Sequence, residues 1–240
     1  MTDNANELRV MTSGAFTAAH VALVPAMESL TGRKVVTVTT SIGTGETSIP
    51  SRLARREAVD LVIVVEPNMQ NFIDAGYIVA DTRTMIAKSS VGIAVRAGAP
   101  APDVSSTEAV RRTFLDAACI AYSASASGKY LTSQLYQKLG IADQCLPKSR
   151  FVGGGERTGA LVARGEADLA FQQMSELRPV PGIDHVTPLP PDLQSIAWIA
   201  AGVATWSPDV ELARSVARFL ASPQAAAAIE ASGLETVGSE

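Results

Sequence analysis

The chain has 240 residues, a net charge of −4, and 47% hydrophobic residues, which is typical of a globular protein near the length at which one core divides into two. An aromatic content of 5% and the lack of a Lys/Arg block argue against a nucleic-acid partner, and the longest apolar runs are far shorter than a membrane span. No Cys/His spacing fits a zinc site, so neither a metal nor a cofactor is expected.

Strand-like and helix-like patterns alternate along the first third of the chain. This order predicts an open parallel sheet with right-handed crossovers. Gly32 follows the first helical pattern and is expected to end that helix. The predicted strands cover 8–11, 35–39 and 61–65, and the predicted helices cover 16–30, 50–56 and 69–75.

A second α/β unit begins with a strand at 91–95, before a Gly/Pro-rich break at 97–102. We therefore predict the α/β class, with a two-lobe arrangement of parallel-type sheets, flanking helices and a two-strand hinge. Lobe 1 would comprise 1–90 plus 200–240, and lobe 2 would comprise 91–199. The other predicted elements of the chain are strands at 118–122, 169–171 and 196–203 and helices at 107–115, 129–139 and 159–164. Two C-terminal helices, one that includes 212–220 and one that starts near 223, are expected to return to lobe 1.

Three short stretches rich in Ser, Thr and Gly follow predicted strands and precede predicted helices, at 12–15, 41–46 and 123–128. Hydroxyls and free backbone N–H groups at helix starts can hold an anion without a buried counter-charge. The alternative for each stretch is a helix cap, a glycine turn or a flexible loop. The candidate ligand-binding residues in these stretches are Ser13, Gly14, Gly43, Thr44, Gly45, Ser123, Ser125, Ser127 and Gly128.

Three further residues are candidates for binding a negatively charged ligand. Arg150 and Arg157 could each clamp a carboxylate with two parallel hydrogen bonds, although both could equally belong to a surface loop. Gln172 follows a predicted strand and could act as a neutral donor. Enzymatic proton transfer would also need a base, and the sequence leaves five open: Glu46, Glu156, Glu176, His20 and Lys129.

The stretches 8–15, 43–45, 167–173 and 181–184, in this order, resemble the molybdate-binding-like branch of type 2 periplasmic solute-binding proteins. The resemblance implies a two-lobe fold that closes on its ligand and delivers it to the membrane subunits of an ABC importer. The second loop departs from the molybdate pattern because it is longer and contains Glu46, which would repel an oxyanion if it pointed inward. The chain is also similar to aconitate isomerase, an enzyme that moves a double bond within a tricarboxylate.

Two functions from different classes follow, and the sequence favours the first of them. The first is a monomeric solute-binding protein that captures an inorganic oxyanion or an organic carboxylate between the lobes. The second is an isomerase of the aconitate type that transfers an allylic proton, for which no catalytic residue is singled out. The location is expected to be periplasmic if a leader was removed, and cytoplasmic otherwise.

Overall fold

The computed structural model describes residues 6–40, 42, 45–153 and 156–237. The chain divides into two compact units: unit 1 comprises Met1–Lys88 and Ala197–Glu240, and unit 2 comprises Ser89–Ile196. Strands and helices alternate in both units, so the predicted α/β class is confirmed. The strands are β1 (Glu7–Thr12), β2 (Lys34–Thr39), β3 (Leu61–Val65), β4 (Thr84–Ser89), β5 (Val91–Arg96), β6 (Ile120–Ser123), β7 (Ser149–Val152), β8 (Leu169–Gln173), β9 (Ile183–Pro188), β10 (Ala197–Val203) and β11 (Glu235–Thr236).

The helices flank these strands on both faces of each sheet. The chain stays helical from 126 to 138, because a π-helical segment, Leu131–Leu135, joins two short α-helices. The helices are α1 (Gly14–Thr31), α2 (Ile49–Ala54), α3 (Glu66–Asp74), α4 (Thr107–Asp116), α5 (Ala126–Tyr130), α6 (Tyr136–Lys138), α7 (Ala142–Cys145), α8 (Thr158–Ala163), α9 (Met174–Leu177), α10 (Val210–Leu220) and α11 (Pro223–Ala231).

Unit 1 contains a six-stranded sheet in the order β11-β4-β10-β3-β1-β2. Its central strand β3 is apolar throughout because both of its faces are covered. Leu61 and Ile63 face the core formed with α1, α10 and α11, whereas Val62 and Val64 face the core formed with α2 and α3. Alternation of side chains along a strand therefore divides unit 1 into two apolar layers.

Unit 2 contains a five-stranded sheet in the order β7-β6-β8-β5-β9. One face carries large side chains that pack against α4 and the helical stretch 126–138. The other face carries Ala94, Ala121 and Ala170, which pack with Leu161 of α8 and Leu177 of α9. The small alanine side chains bring these two short helices close to the carboxyl ends of β6 and β8.

Both sheets are mixed rather than wholly parallel, which differs from the prediction. β10 pairs antiparallel with β3, and β5 pairs antiparallel with both β8 and β9. An apolar run does not encode its direction in a sheet, so the pattern could not reveal this. None of the predicted strand ranges covers β4, β7, β9 or β11, and β7 and β11 are edge strands of four and two residues.

The glycine prediction at the end of the first helix is confirmed. Gly32 has φ of 65°, and its backbone N–H donates to the carbonyl of Glu28. This left-handed conformation is favourable for glycine because it has no Cβ. Among the described residues, no helix is both long and apolar enough to cross a membrane.

We expect His20→Gln to remove part of the acid sensitivity of the fold. His20 lies fully buried on α1, its Nε2 is 2.8 Å from the hydroxyl of Thr37, and burial lowers its pKa to about 4. Because the unfolded chain binds this proton at a higher pH, His20 makes the protein less stable as the pH falls from about 6.5 towards 4.

Urea unfolding at pH 8 and pH 5 measures this effect. Relative to the variant, the wild type should lose about 2 kcal/mol of unfolding free energy over that interval. Titrating groups that both chains share cancel in this difference. Parallel pH profiles for the two chains would contradict the prediction.

Candidate functional site

The first donor-rich stretch lies at the junction of β1 and α1 in unit 1. Ser13 is the N-cap of α1, and its backbone N–H donates to the carbonyl of Ile63 over 3.0 Å. Its hydroxyl is buried but has no hydrogen-bond partner within the described part of the chain. Gly14 is the first residue of α1, an 18-residue helix whose first N–H groups point out of its N-terminus. This junction therefore places the Ser13 hydroxyl, which has no partner among the described residues, beside the first amides of a helix.

The second donor-rich stretch is only partly visible, because Gly43 and Thr44 lie outside the described residues. The carbonyl of Gly45 accepts from the N–H of Ser48, and a Cβ built on Gly45 would meet no atom within 4 Å. Glu46 is exposed, and its carbonyl accepts from Arg55.

The third stretch forms a chain of three hydroxyls in unit 2, from the last residue of β6 to the first turn of α5. The Oγ atoms of Ser123 and Ser125 are 2.9 Å apart, and those of Ser125 and Ser127 are 2.8 Å apart. Two hydrogen bonds use two of the three hydroxyl protons, so one proton remains to donate outside the chain. Ser125 precedes α5 in an extended conformation, and its side chain does not cap the helix. The helix therefore begins three residues earlier than the predicted start at Lys129.

Gly128 holds this hydroxyl chain against the start of the helix. A Cβ at this position would lie 1.7 Å from the carbonyl oxygen of Ser123 and 2.9 Å from its carbonyl carbon. The loop and the first helical turn can approach this closely only because residue 128 has no side chain. A π-helical segment follows at Leu131–Leu135, and such segments occur frequently at functional sites.

Gln172 lies at the carboxyl end of β8 and is held from both sides. Its Oε1 accepts a 2.6 Å hydrogen bond from the hydroxyl of Thr158, the first residue of α8. Its Nε2 donates to the carboxylate of Glu176 on α9. Both Thr158 and Gln172 are buried. The structure thus joins β8, α8 and α9 through a line of three polar side chains.

Glu176 is a partly buried carboxyl group with unusual electrostatics. Burial raises its pKa to about 7, although the positive charge of Arg157 and the hydrogen bond from Gln172 both act to lower it. A carboxyl group with this pKa exchanges protons readily near neutral pH. The sequence leaves Glu176 among five candidates for a base, and only the fold reveals this environment.

The two predicted arginines have different surroundings. Arg150 forms an ion pair with Glu166 at 3.1 Å, so another carboxylate already occupies its guanidinium. Arg157 is exposed and immediately precedes Thr158, and its charge acts on Glu176. Among the described residues no hydrogen bond or ion pair of the Arg157 side chain is found. Its guanidinium is therefore free to bind a ligand carboxylate beside Glu176.

The remaining candidates for a base have less suitable surroundings. His20 is fully buried against Thr37, and Glu156 forms a 2.7 Å ion pair with Arg164. Glu46 and Lys129 are exposed.

Sequence reasoning missed Thr158, whose position at the start of a helix after a Gly-rich stretch was the available signal. The described residues contain no group of three or more His, Cys, Asp and Glu side chains that could hold a metal ion.

Comparison with known proteins agrees with this architecture. An aconitate isomerase from Pseudomonas sp. is 39% identical over 231 residues, which cover 96% of this chain and 88% of that protein. The periplasmic molybdate-binding protein of Azotobacter vinelandii has a TM-score of 0.76 at 16% identity, covering 96% of this chain and 99% of that chain. The sulfate-binding protein SubI from Mycobacterium tuberculosis has a TM-score of 0.74 at 17% identity, covering 98% of this chain and 88% of that chain.

The resemblance inferred from the sequence is thereby confirmed. The two solved structures share the fold at low identity, whereas the isomerase is related to this chain over nearly its full length. The family model described as bacterial extracellular solute-binding protein matches residues 8–235. This chain therefore belongs to the bacterial extracellular solute-binding protein family.

Proposed function

We propose that this chain binds a tricarboxylate of the aconitate type and shifts its double bond by proton transfer through Glu176. The observation that carries the proposal is the environment of Glu176, a partly buried carboxyl group whose pKa is raised to about 7. The positive charge that acts on it belongs to Arg157, whose side chain has no hydrogen bond or ion pair among the described residues. The 39% identity to an aconitate isomerase over 96% of the chain supports the choice of substrate.

Binding would use donors of two kinds in unit 2. The guanidinium of Arg157 can hold one carboxylate with two parallel hydrogen bonds. The spare hydroxyl proton of the Ser123, Ser125 and Ser127 chain, together with the first N–H groups of the helical stretch 126–138, can hold another. A ligand with several carboxylates matches this mixture of one cation and several neutral donors.

The proposed reaction moves one proton and no net electrons. The carboxylate of Glu176 removes a proton from the methylene group next to the double bond of the substrate. The electron pair of the broken C–H bond forms the new C=C bond, while the electrons of the old double bond move to its far carbon. Glu176 then returns the proton to that carbon, so that atoms and charge balance. Donors on the adjacent carboxylate stabilise the negative charge that develops in the transition state.

The second candidate function is capture of a small anion for an ABC importer, without chemistry. The buried hydroxyl of Ser13 at the N-terminus of α1 favours it, because this hydroxyl has no hydrogen-bond partner among the residues that the structure describes. A neutral donor and a helix terminus can bind any small oxyanion. The family description supports an extracytoplasmic location, which for this chain would be the periplasm, and the membrane subunits of an importer would then be its partners.

Calorimetric titration and an ultraviolet absorbance assay separate the two candidates. The titrated panel comprises molybdate, tungstate, sulfate, citrate and trans-aconitate, and conversion of trans-aconitate is followed by absorbance. We expect binding of trans-aconitate with turnover. Tight binding of molybdate or sulfate without any turnover of trans-aconitate would overturn the isomerase proposal and favour capture.

A further inference from the structure

The two hydrogen bonds that link Thr158, Gln172 and Glu176 both run from donor to acceptor towards Glu176. The hydroxyl of Thr158 donates to Oε1 of Gln172 over 2.6 Å, and Nε2 of Gln172 donates to the carboxylate of Glu176. A carboxylate accepts hydrogen bonds and donates none, so this arrangement suits the ionised form of Glu176. Reversing the amide would turn a carbonyl oxygen towards the carboxylate and would remove the stabilising contact.

Burial makes Gln172 unsuitable as a ligand contact. Its side chain is almost completely enclosed, with 3% relative exposure, and Thr158 has 0%. Both groups of the amide are already hydrogen-bonded within unit 2. Gln172 can therefore influence a ligand through Glu176 but has little surface with which to touch one. This differs from the expectation that Gln172 donates directly to a ligand.

We propose that Thr158 and Gln172 are positioning residues that orient the carboxylate of Glu176 and keep it available as a proton acceptor. The proposal rests on the proposed function for its catalytic meaning, but the orientation itself is a property of the ligand-free protein. The amide holds one carboxylate oxygen, which leaves the other oxygen to face the proton that is transferred. Thr158 fixes which end of the amide faces Glu176.

The effect of the Gln172 amide on the pKa of Glu176 can be separated from the effect of nearby charges. Among the described residues, the charged group that acts on Glu176 is Arg157, which precedes α8, and the other stabilising contact is the hydrogen bond from Gln172 on β8. Because Arg157 is unchanged in variants of Thr158 and Gln172, a change in the titration of Glu176 in these variants reports the loss of the amide contact.

The test is a carbon-13 NMR titration of glutamate carboxyls in the ligand-free protein, with the signal of Glu176 assigned by its absence in Glu176→Gln. Gln172→Met keeps the side-chain length but removes the donor, and should raise the pKa of Glu176 by about one unit. Thr158→Val should raise it by less, and Thr158→Ser, which keeps the hydroxyl, should restore the wild-type titration.

Gln173→Met is the matched control. Gln173 is the neighbouring residue on β8 and is also buried, but its amide lies against Ser89 and Ser90 rather than Glu176. This variant should lose stability without moving the titration of Glu176. An unchanged titration in Gln172→Met, or an equal shift in Gln173→Met, would overturn the proposal. If Gln172→Met fails to fold, the comparison of Thr158→Val with Thr158→Ser tests the proposal instead. An unchanged titration of Glu176 in Thr158→Val would then overturn the proposal.

Kinetics then distinguish this inference from the proposed function. With trans-aconitate, Gln172→Met should lower kcat about tenfold, leave KM nearly unchanged and move the pH profile upward by the shift seen in NMR. A shifted titration in a protein that never turns over trans-aconitate would refute the isomerase function but retain the positioning role. Normal turnover with an unshifted titration and pH profile would refute the positioning role alone.

Discussion

Glu176→Gln should lower the turnover of trans-aconitate by roughly 10³-fold, which is within the usual contribution of a general base. The amide cannot accept the proton, yet it has nearly the same shape as the carboxyl group. Binding should be retained or strengthened, because the substitution removes a negative charge near Arg157 and the bound anion. Stopped assays of conversion and calorimetric titration measure the two effects separately.

The pH dependence gives a second measure of the same residue. Since burial raises the pKa of Glu176 to about 7, kcat/KM of the wild type should increase with pH through that value as the carboxylate forms. The residual activity of Glu176→Gln should lack this increase with pH, which is the pH step of the wild type. Glu156→Gln is the control, because Glu156 is exposed and paired with Arg164, and it should retain both the activity and the step. Full activity in Glu176→Gln would show that another group accepts the proton.

Gly128→Ala should cause the largest loss of stability among these substitutions. The new Cβ would lie 1.7 Å from the carbonyl oxygen of Ser123, and a backbone atom cannot move aside as a flexible side chain can. Overpacking of this kind costs about 3 kcal/mol or more, which corresponds to a fall of roughly 10 °C in Tm for a chain of this length. The loop would have to move away from the helix, and the hydroxyl chain would separate.

The consequences of Gly128→Ala can be measured by thermal unfolding and by titration with trans-aconitate. Affinity should fall about tenfold or more, because the donors at the start of the helix would no longer converge. Gly45→Ala is the stability control, since a Cβ at that position meets no atom within 4 Å. An unchanged Tm in Gly128→Ala would contradict the close contact between residue 128 and the carbonyl oxygen of Ser123.

Much of the fold could be predicted from the sequence because its signals are local. The apolar run 61–65 coincides with β3, and the left-handed glycine at position 32 ends α1 as expected. The direction of β10 could not be predicted, because it depends on pairing with β3 across more than 130 residues of chain. The strand β7 was missed because a four-residue edge strand carries too few side chains to establish a pattern.

The candidate site was less accessible to sequence reasoning. The donor-rich loops could be identified locally, and the hydroxyls of Ser123, Ser125 and Ser127 are linked by hydrogen bonds at the junction of β6 and α5. The pKa of Glu176, however, depends on burial by elements that are distant in sequence, so no local pattern distinguishes it from a surface glutamate. Thr158 becomes relevant only when α8 packs beside the end of β8.

Deuterium uptake in heavy water tests the central claim most directly. The wild-type protein is incubated with trans-aconitate, and deuterium in the recovered tricarboxylate is followed by mass spectrometry. The account predicts uptake at the carbon positions beside the double bond, about tenfold faster at pH 8 than at pH 6 and nearly abolished in Glu176→Gln. Bound trans-aconitate that neither acquires deuterium nor shifts its double bond at any pH would contradict it.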